Sequence, residues 1–125
     1  MVATPRSTGM VDASDVGKAL NEMISAKTGI TAFAGGGQAS ATAIINSFNR
    51  ITTCTTIADS VKLPLARPGA QVLIANRGVS SANVFPQTGE AINALANNTA
   101  LALAAGVVGL YTCALSGKWE AGTLA

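Results

Sequence analysis

The sequence holds no histidine, only two cysteines and few charges. Without histidine, neither a Ser-His-Asp triad nor a Cys-His pair can be assembled. The cysteines, Cys54 and Cys113, stand far apart with no CxxC spacing, so a zinc site is not expected. A pair of buried free thiols is the favoured reading; a bridge stays open if their strands are neighbours. Cys54 as a nucleophile needs an activating group, and the sequence puts none beside it. The acidic residues number six: Asp12, Asp15, Glu22, Asp59, Glu90 and Glu120. Asp59 and Glu90 could meet only through tertiary folding, which leaves the carboxylate pair of a glycosidase without sequence support. The run Gly35, Gly36, Gly37, Gln38 lacks the Walker spacing and its Lys-Ser/Thr end, so it reads as a wide turn and not as a phosphate loop. With no catalytic set, no metal site and no cofactor motif, the chain is not expected to be an enzyme.

Charge is sparse too. Charged residues make up 11% and the net charge is +2, with the 8 basic residues scattered. No basic run marks a phosphate-tracking surface, and no nucleic-acid partner is expected. Long hydrophobic runs are missing: the nearest, Leu101 to Leu115, is Ala- and Gly-rich and too short to span a bilayer. The opening MVATPRSTGM has one basic residue and no apolar core, so no signal peptide is expected. Aromatic residues reach only 4%.

What the chain does have is alanine, β-branched residues and turn signals. Its 125 residues suit one domain. Hydrophobic residues make up 49%, much of it alanine. So little charge on a free surface is unusual, and it points to a surface covered by neighbouring subunits. The plainer alternative is a neutral protein kept soluble by Ser, Thr, Asn and Gln.

Read in order, residues 1 to 13 form an extended arm, rich in Thr, Pro, Ser and Gly. Ser14 to Lys27 has Val16, Leu20, Met23 and Ile24 at helical spacing, a cap at Ser14 or Asp12, and Gly29 as a stop. It is the one predicted helix. About eight short strands follow, from the stretches Ile30 to Ala34, Ala41 to Ile45, Arg50 to Ile57, Ser60 to Leu63, Gln71 to Asn76, Asn83 to Phe85, Ala91 to Asn93, Leu101 to Ala104, Val108 to Leu115 and Lys118 to Glu120. Ser116-Gly117 reads as a tight hairpin turn. Val72 and Ile74 on one face, with Leu73 and Ala75 on the other, mark Gln71 to Asn76 as a central strand. Strands at about 8- to 12-residue spacing point to an all-β sandwich, jelly-roll-like, or a barrel. The expected organisation is an N-terminal arm with a short helix over residues 1–29 and a β-sandwich domain over residues 30–125.

Several pieces carry a family likeness: AGGGQASATAI, NRITTCTTIADSVKLP, GAQVLIANRG, NVFPQTGEAIN and LYTCALSGKW. Together they resemble small virion proteins of tailed bacteriophages, over most of the β-domain but not the first 29 residues. The resemblance implies a capsid decoration, or cement, protein on the exterior of the particle, made in the host cytoplasm. It would bind the assembled shell over junctions of the major capsid protein and associate with identical copies, a homotrimer being the expected state. No membrane, nucleic acid or cofactor is involved on this reading. Val16, Leu20, Met23 and Ile24 would contact the capsid or a neighbouring copy. Gly35, Gly36, Gly37, Gln38, Arg77 and Trp119 would supply loop contacts. The G-E-A-I-N turn and the closing G-K-W hairpin also resemble modules of phage fibres and spikes. The alternative is therefore a tail-fibre or head-spike module that binds a host-surface glycan, with Trp119 and Tyr111 offering stacking faces.

Overall fold

The computed structural model describes residues 25–124. They form ten strands: β1 Ala26–Thr31, β2 Thr42–Ala43, β3 Phe48–Thr53, β4 Asp59–Lys62, β5 Gln71–Asn76, β6 Ala82–Phe85, β7 Ala91–Ile92, β8 Leu101–Leu103, β9 Val108–Leu115 and β10 Lys118–Leu124. A six-stranded sheet has the order β1-β3-β5-β9-β10-β7, and a four-stranded sheet the order β2-β4-β6-β8. The chain from β1 to β6 alternates between the two sheets. Its neighbours within each sheet are parallel: β1 with β3, β3 with β5, β2 with β4, and β4 with β6.

This is a β-solenoid of three stacked rungs, not the jelly-roll sandwich expected from strand spacing. The two folds share an all-β pattern and differ in how strands are joined. Here each strand passes through an arch into the opposite sheet, and its parallel neighbour comes one full rung later. The spacing between stacked residues is uneven, roughly 19 to 25 residues from Thr42 to Val61 and from Phe48 to Leu73. The far end of the stack reverses direction. Strand β8 runs antiparallel on β6, β9 runs antiparallel on β5, and the β9–β10 hairpin extends the larger sheet to its last strand, β7, which lies parallel to β10.

Inward-facing residues stack into columns. Ile30 lies beside Ile51, and Ile51 beside Asn76. Val61, Val84, Ile74, Leu103, Ile92 and Trp119, each at most 2% exposed, complete the core. Full burial of such a side chain stabilises by about 1.5–3 kcal/mol.

The arches leave backbone groups that a hairpin would have paired, and buried polar side chains serve them. Asn76 donates to the carbonyls of Ser80 and Leu103 and accepts from Gly78 N–H. Asn49 donates to the carbonyls of Asn46 and Leu73. Asp59 accepts from the N–H groups of Gly35, Thr55 and Thr56.

The expected helix over Ser14 to Lys27 falls mostly outside the described residues. Its last residues, Ala26 and Lys27, are in strand β1, paired with Phe48 and Asn49. Ladder pairing therefore overrides helical spacing there, and the β-domain already includes residues 26–29. Strands β5 and β9 occupy the expected spans, and Ser116 and Gly117 form the hairpin turn. Strand β3 stops at Thr53, so Cys54 sits in an arch and not in a strand.

Candidate interaction surface

The groups able to do chemistry are taken up by the scaffold. Asp59 is 2% exposed and committed to its three backbone donors. Glu90 receives the Ala66 N–H on both carboxylate oxygens. Among the described residues, no group of three His, Cys, Asp or Glu could hold a metal ion. Both cysteines are free and buried. They sit near opposite ends of the six-stranded sheet: Cys54 Sγ faces the Ser81 carbonyl, while Cys113 pairs by backbone with Ala70 and faces Leu115. Burial pushes the Cys54 thiol above its ordinary range, and the nearby Asp59 carboxylate adds to the rise. The low thiolate fraction works against nucleophilic use. Tyr111 is 2% exposed and its hydroxyl is also pushed up by burial.

The residues singled out as loop contacts are only partly brought together. The glycine run forms the arch after β1. Its Gly35 N–H is tied to Asp59, and Gln38 Nε2 donates to the Pro86 carbonyl and to Asn98 Oδ1. Gly36 lies against the Phe33 ring, leaving no room for a Cβ. Arg77 is exposed and donates to the Gly106 carbonyl from the next arch. Trp119 is a core residue with no solvent-accessible surface, and Tyr111 lies beside it in the same core. Neither ring presents a face on which a sugar could stack. Val16, Leu20, Met23 and Ile24 lie outside the described residues.

What the sequence reading missed is a ridge. Three successive arches lead from the six-stranded sheet into the four-stranded one, and each carries one bulky apolar residue. These are Phe33 at 47% exposure, Ile57 at 75% and Val79 at 79%. The arches are stitched together. Phe33 and Ser60 exchange two backbone bonds, Val79 N–H bonds the Cys54 carbonyl, and Ser80 Oγ bonds the Thr55 carbonyl. The pairings set Phe33 beside Ser60 and Val79 beside Cys54, so the three residues share one side of the stack without standing in register. The opposite side of the stack exposes Ile45, Leu65 and Leu115. Single exposed apolar residues are ordinary; these three recur once per arch on one side of the stack. The signal in the sequence was one apolar residue inside each polar turn: Phe33 before the glycines, Ile57 after TCTT, and Val79 after Arg77-Gly78.

No known family, curated protein or solved structure matches this chain. The ridge and the sheet faces therefore have to be read from their own chemistry.

Proposed function

We propose that the protein is a non-enzymatic structural component that docks on other protein subunits, and specifically a bacteriophage capsid decoration protein. The observation that carries this reading is one exposed bulky apolar residue on each of three successive arches, Phe33, Ile57 and Val79, on a charge-poor β-solenoid. Apolar side chains recurring once per rung on one side of the stack suit a partner that is itself repetitive. Burying it removes apolar surface from water at about 25 cal/mol per Å2. A ligand that binds the assembled shell and not its separated subunits stabilises the shell by mass action. On this proposal the partners are the major capsid protein and identical copies, as a homotrimer, and the site of action is the particle exterior. The phage-protein resemblance of the strand and turn motifs supplies the choice of partner.

Copy number tests it. Quantitative mass spectrometry of purified virions should give about one copy per capsid-protein junction, as lattice decoration requires. A few dozen copies or fewer would transfer the protein to a fibre or spike, and absence from the particle would refute the virion reading. The double substitution Ile57→Asp/Val79→Asp should leave the fold intact, since both side chains are exposed, and abolish shell binding.

A further inference from the structure

We propose that the outer face of the six-stranded sheet is a self-complementary contact, on which a second copy of this chain docks across a two-fold axis. The face is made by the strand residues that alternate with the core. Strand register sets them in cross-strand rows. The middle row is apolar and runs Phe48, Leu73, Leu110. On one side of it lie Arg50, Ala75, Val108 and Leu124. On the other lie Gln71, Thr112 and Glu120. Phe48 is 46% and Leu124 49% exposed, and Leu73, Ala75, Val108 and Leu110 are only partly buried. Phe48, Arg50, Leu73, Ala75 and Val108 line one groove of about 430 Å3.

Charge selects the occupant. Arg50, with Lys27 beside it in the groove, makes one corner of the face positive. Glu120 makes the diagonal corner negative, and both Arg50 and Glu120 are exposed. Among the described residues the carboxylates are Asp59, Glu90 and Glu120. Asp59 and Glu90 are committed to backbone N–H groups, so Glu120 is the one left for a partner. Three strand spacings and two rows separate Arg50 from Glu120, about 20 Å, too far for them to pair within one chain. The midpoint of that diagonal falls between Leu73 and Leu110. A copy turned by half a turn about an axis lying in the face at that point sets its Glu120 against Arg50 and its Arg50 against Glu120. The same turn packs the two Leu73–Leu110 pairs on each other. An isologous contact has this reciprocity. The axis runs at about 45° to the strands, so the two sheets cross at about 90°, the orthogonal class of sheet packing. The rows cover about 20 by 20 Å, which makes the contact small and its affinity modest. A two-fold contact pairs chains and closes no ring of three. It is therefore additional to the three-fold association and to the docking ridge, and it does not rest on the virion reading.

Sedimentation velocity of the full chain from about 5 to 500 micromolar, a range suited to a small interface, reads the association. The expected result is pairing that rises with concentration and weakens at high salt. Arg50→Glu gives a chain with two acidic corners, and Glu120→Arg one with two basic corners. Each alone should associate at least about five-fold more weakly than the parent. Mixed in equal amounts they should regain the parent's association, because each supplies the charge the other lost. The double substitution Arg50→Glu/Glu120→Arg should do the same within one chain. Both positions are exposed, so the fold should persist, and far-UV circular dichroism verifies it. No association at the top concentration would leave the face to a different partner and overturn the proposal. Association that ignores both single substitutions, or single variants that fail to pair on mixing, would overturn it as well.

Discussion

Replacing Asp59 with alanine should loosen the stack where its first and second rungs meet. The carboxylate accepts from Gly35 N–H at 3.2 Å, Thr55 N–H at 3.2 Å and Thr56 N–H at 3.1 Å. Gly35 belongs to the first arch, while Thr55 and Thr56 belong to the second. Hydrogen bonds to a charged group contribute about 1.5–3 kcal/mol each. These three are long for charge-assisted bonds, so the lower figure applies. Gly35, Thr55 and Thr56 are themselves exposed, and water would recover part of the loss. The net cost of Asp59→Ala is then about 3 kcal/mol. Equilibrium urea unfolding reads it. With an m value of about 1.5 kcal/mol/M the midpoint should fall by about 2 M. Native-state hydrogen exchange should show lost protection at Gly35, Thr55 and Thr56. Glu120→Ala, at an exposed residue, should stay within about 0.5 kcal/mol of the parent. A midpoint shift for Asp59→Ala no larger than that of Glu120→Ala, at unchanged m, would refute the idea that this carboxylate ties the arches.

Other outcomes follow from single positions. Gly78→Ala should cost at least about 2 kcal/mol, because a Cβ would meet Cys54 Cβ and the Cys54 backbone nitrogen at 2.6 Å. Gly37→Ala, with nothing within 4 Å, should be near neutral. Thermal melts of the two variants make the comparison. Both cysteines should react with a thiol reagent under denaturing conditions without prior reduction, and resist it for minutes in the native state; native labelling as fast as that of a free thiol would contradict their burial. Tyr111 makes stability fall at high pH. Its hydroxyl is raised above the ordinary value in the folded chain, so deprotonation favours unfolding. Its contribution is complete below about pH 10, the unfolded value, and is lost progressively above it. Urea midpoints from pH 8 to 11.5 should drop less steeply in Tyr111→Phe than in the parent.

Much of the local structure was legible because it is set by nearest neighbours. Alternation of apolar residues marked β5 and β9, and Ser116-Gly117 marked the hairpin between β9 and β10. The absence of histidine and of a metal-binding spacing needed no structure either. Arrangement was different. Strands at short spacing satisfy a sandwich and a solenoid equally well, because both bury alternate side chains of short strands. What separates them is whether a turn returns a strand to its own sheet or passes it to the other one, and turn residues do not encode that choice. The unequal rungs, with a long glycine-bearing arch after β1 and a long loop between β4 and β5, hid the repeat that would have revealed parallel stacking.

The candidate surface followed the same division. Phe33, Ile57 and Val79 are unremarkable apolar residues in three separate turns, and stacking of the rungs is what places them on one side of the molecule. Asn49, Asp59 and Asn76 read as turn residues in the chain, whereas the structure puts them in or at the ends of strands β3, β4 and β5. Their burial comes from the arches, whose unpaired backbone groups need polar partners inside the protein. Trp119 beside its turn read more readily as a packed tryptophan than as a stacking face, and it and Tyr111 are core because β10 and β9 turn these positions into the interior. Composition and pattern thus settled the predominance of strands, the places of β5 and β9 and the lack of a histidine-based catalytic set. Strand order, the solenoid and the shared faces were decided by hydrogen bonds and packing between residues a full rung apart, which no local pattern records.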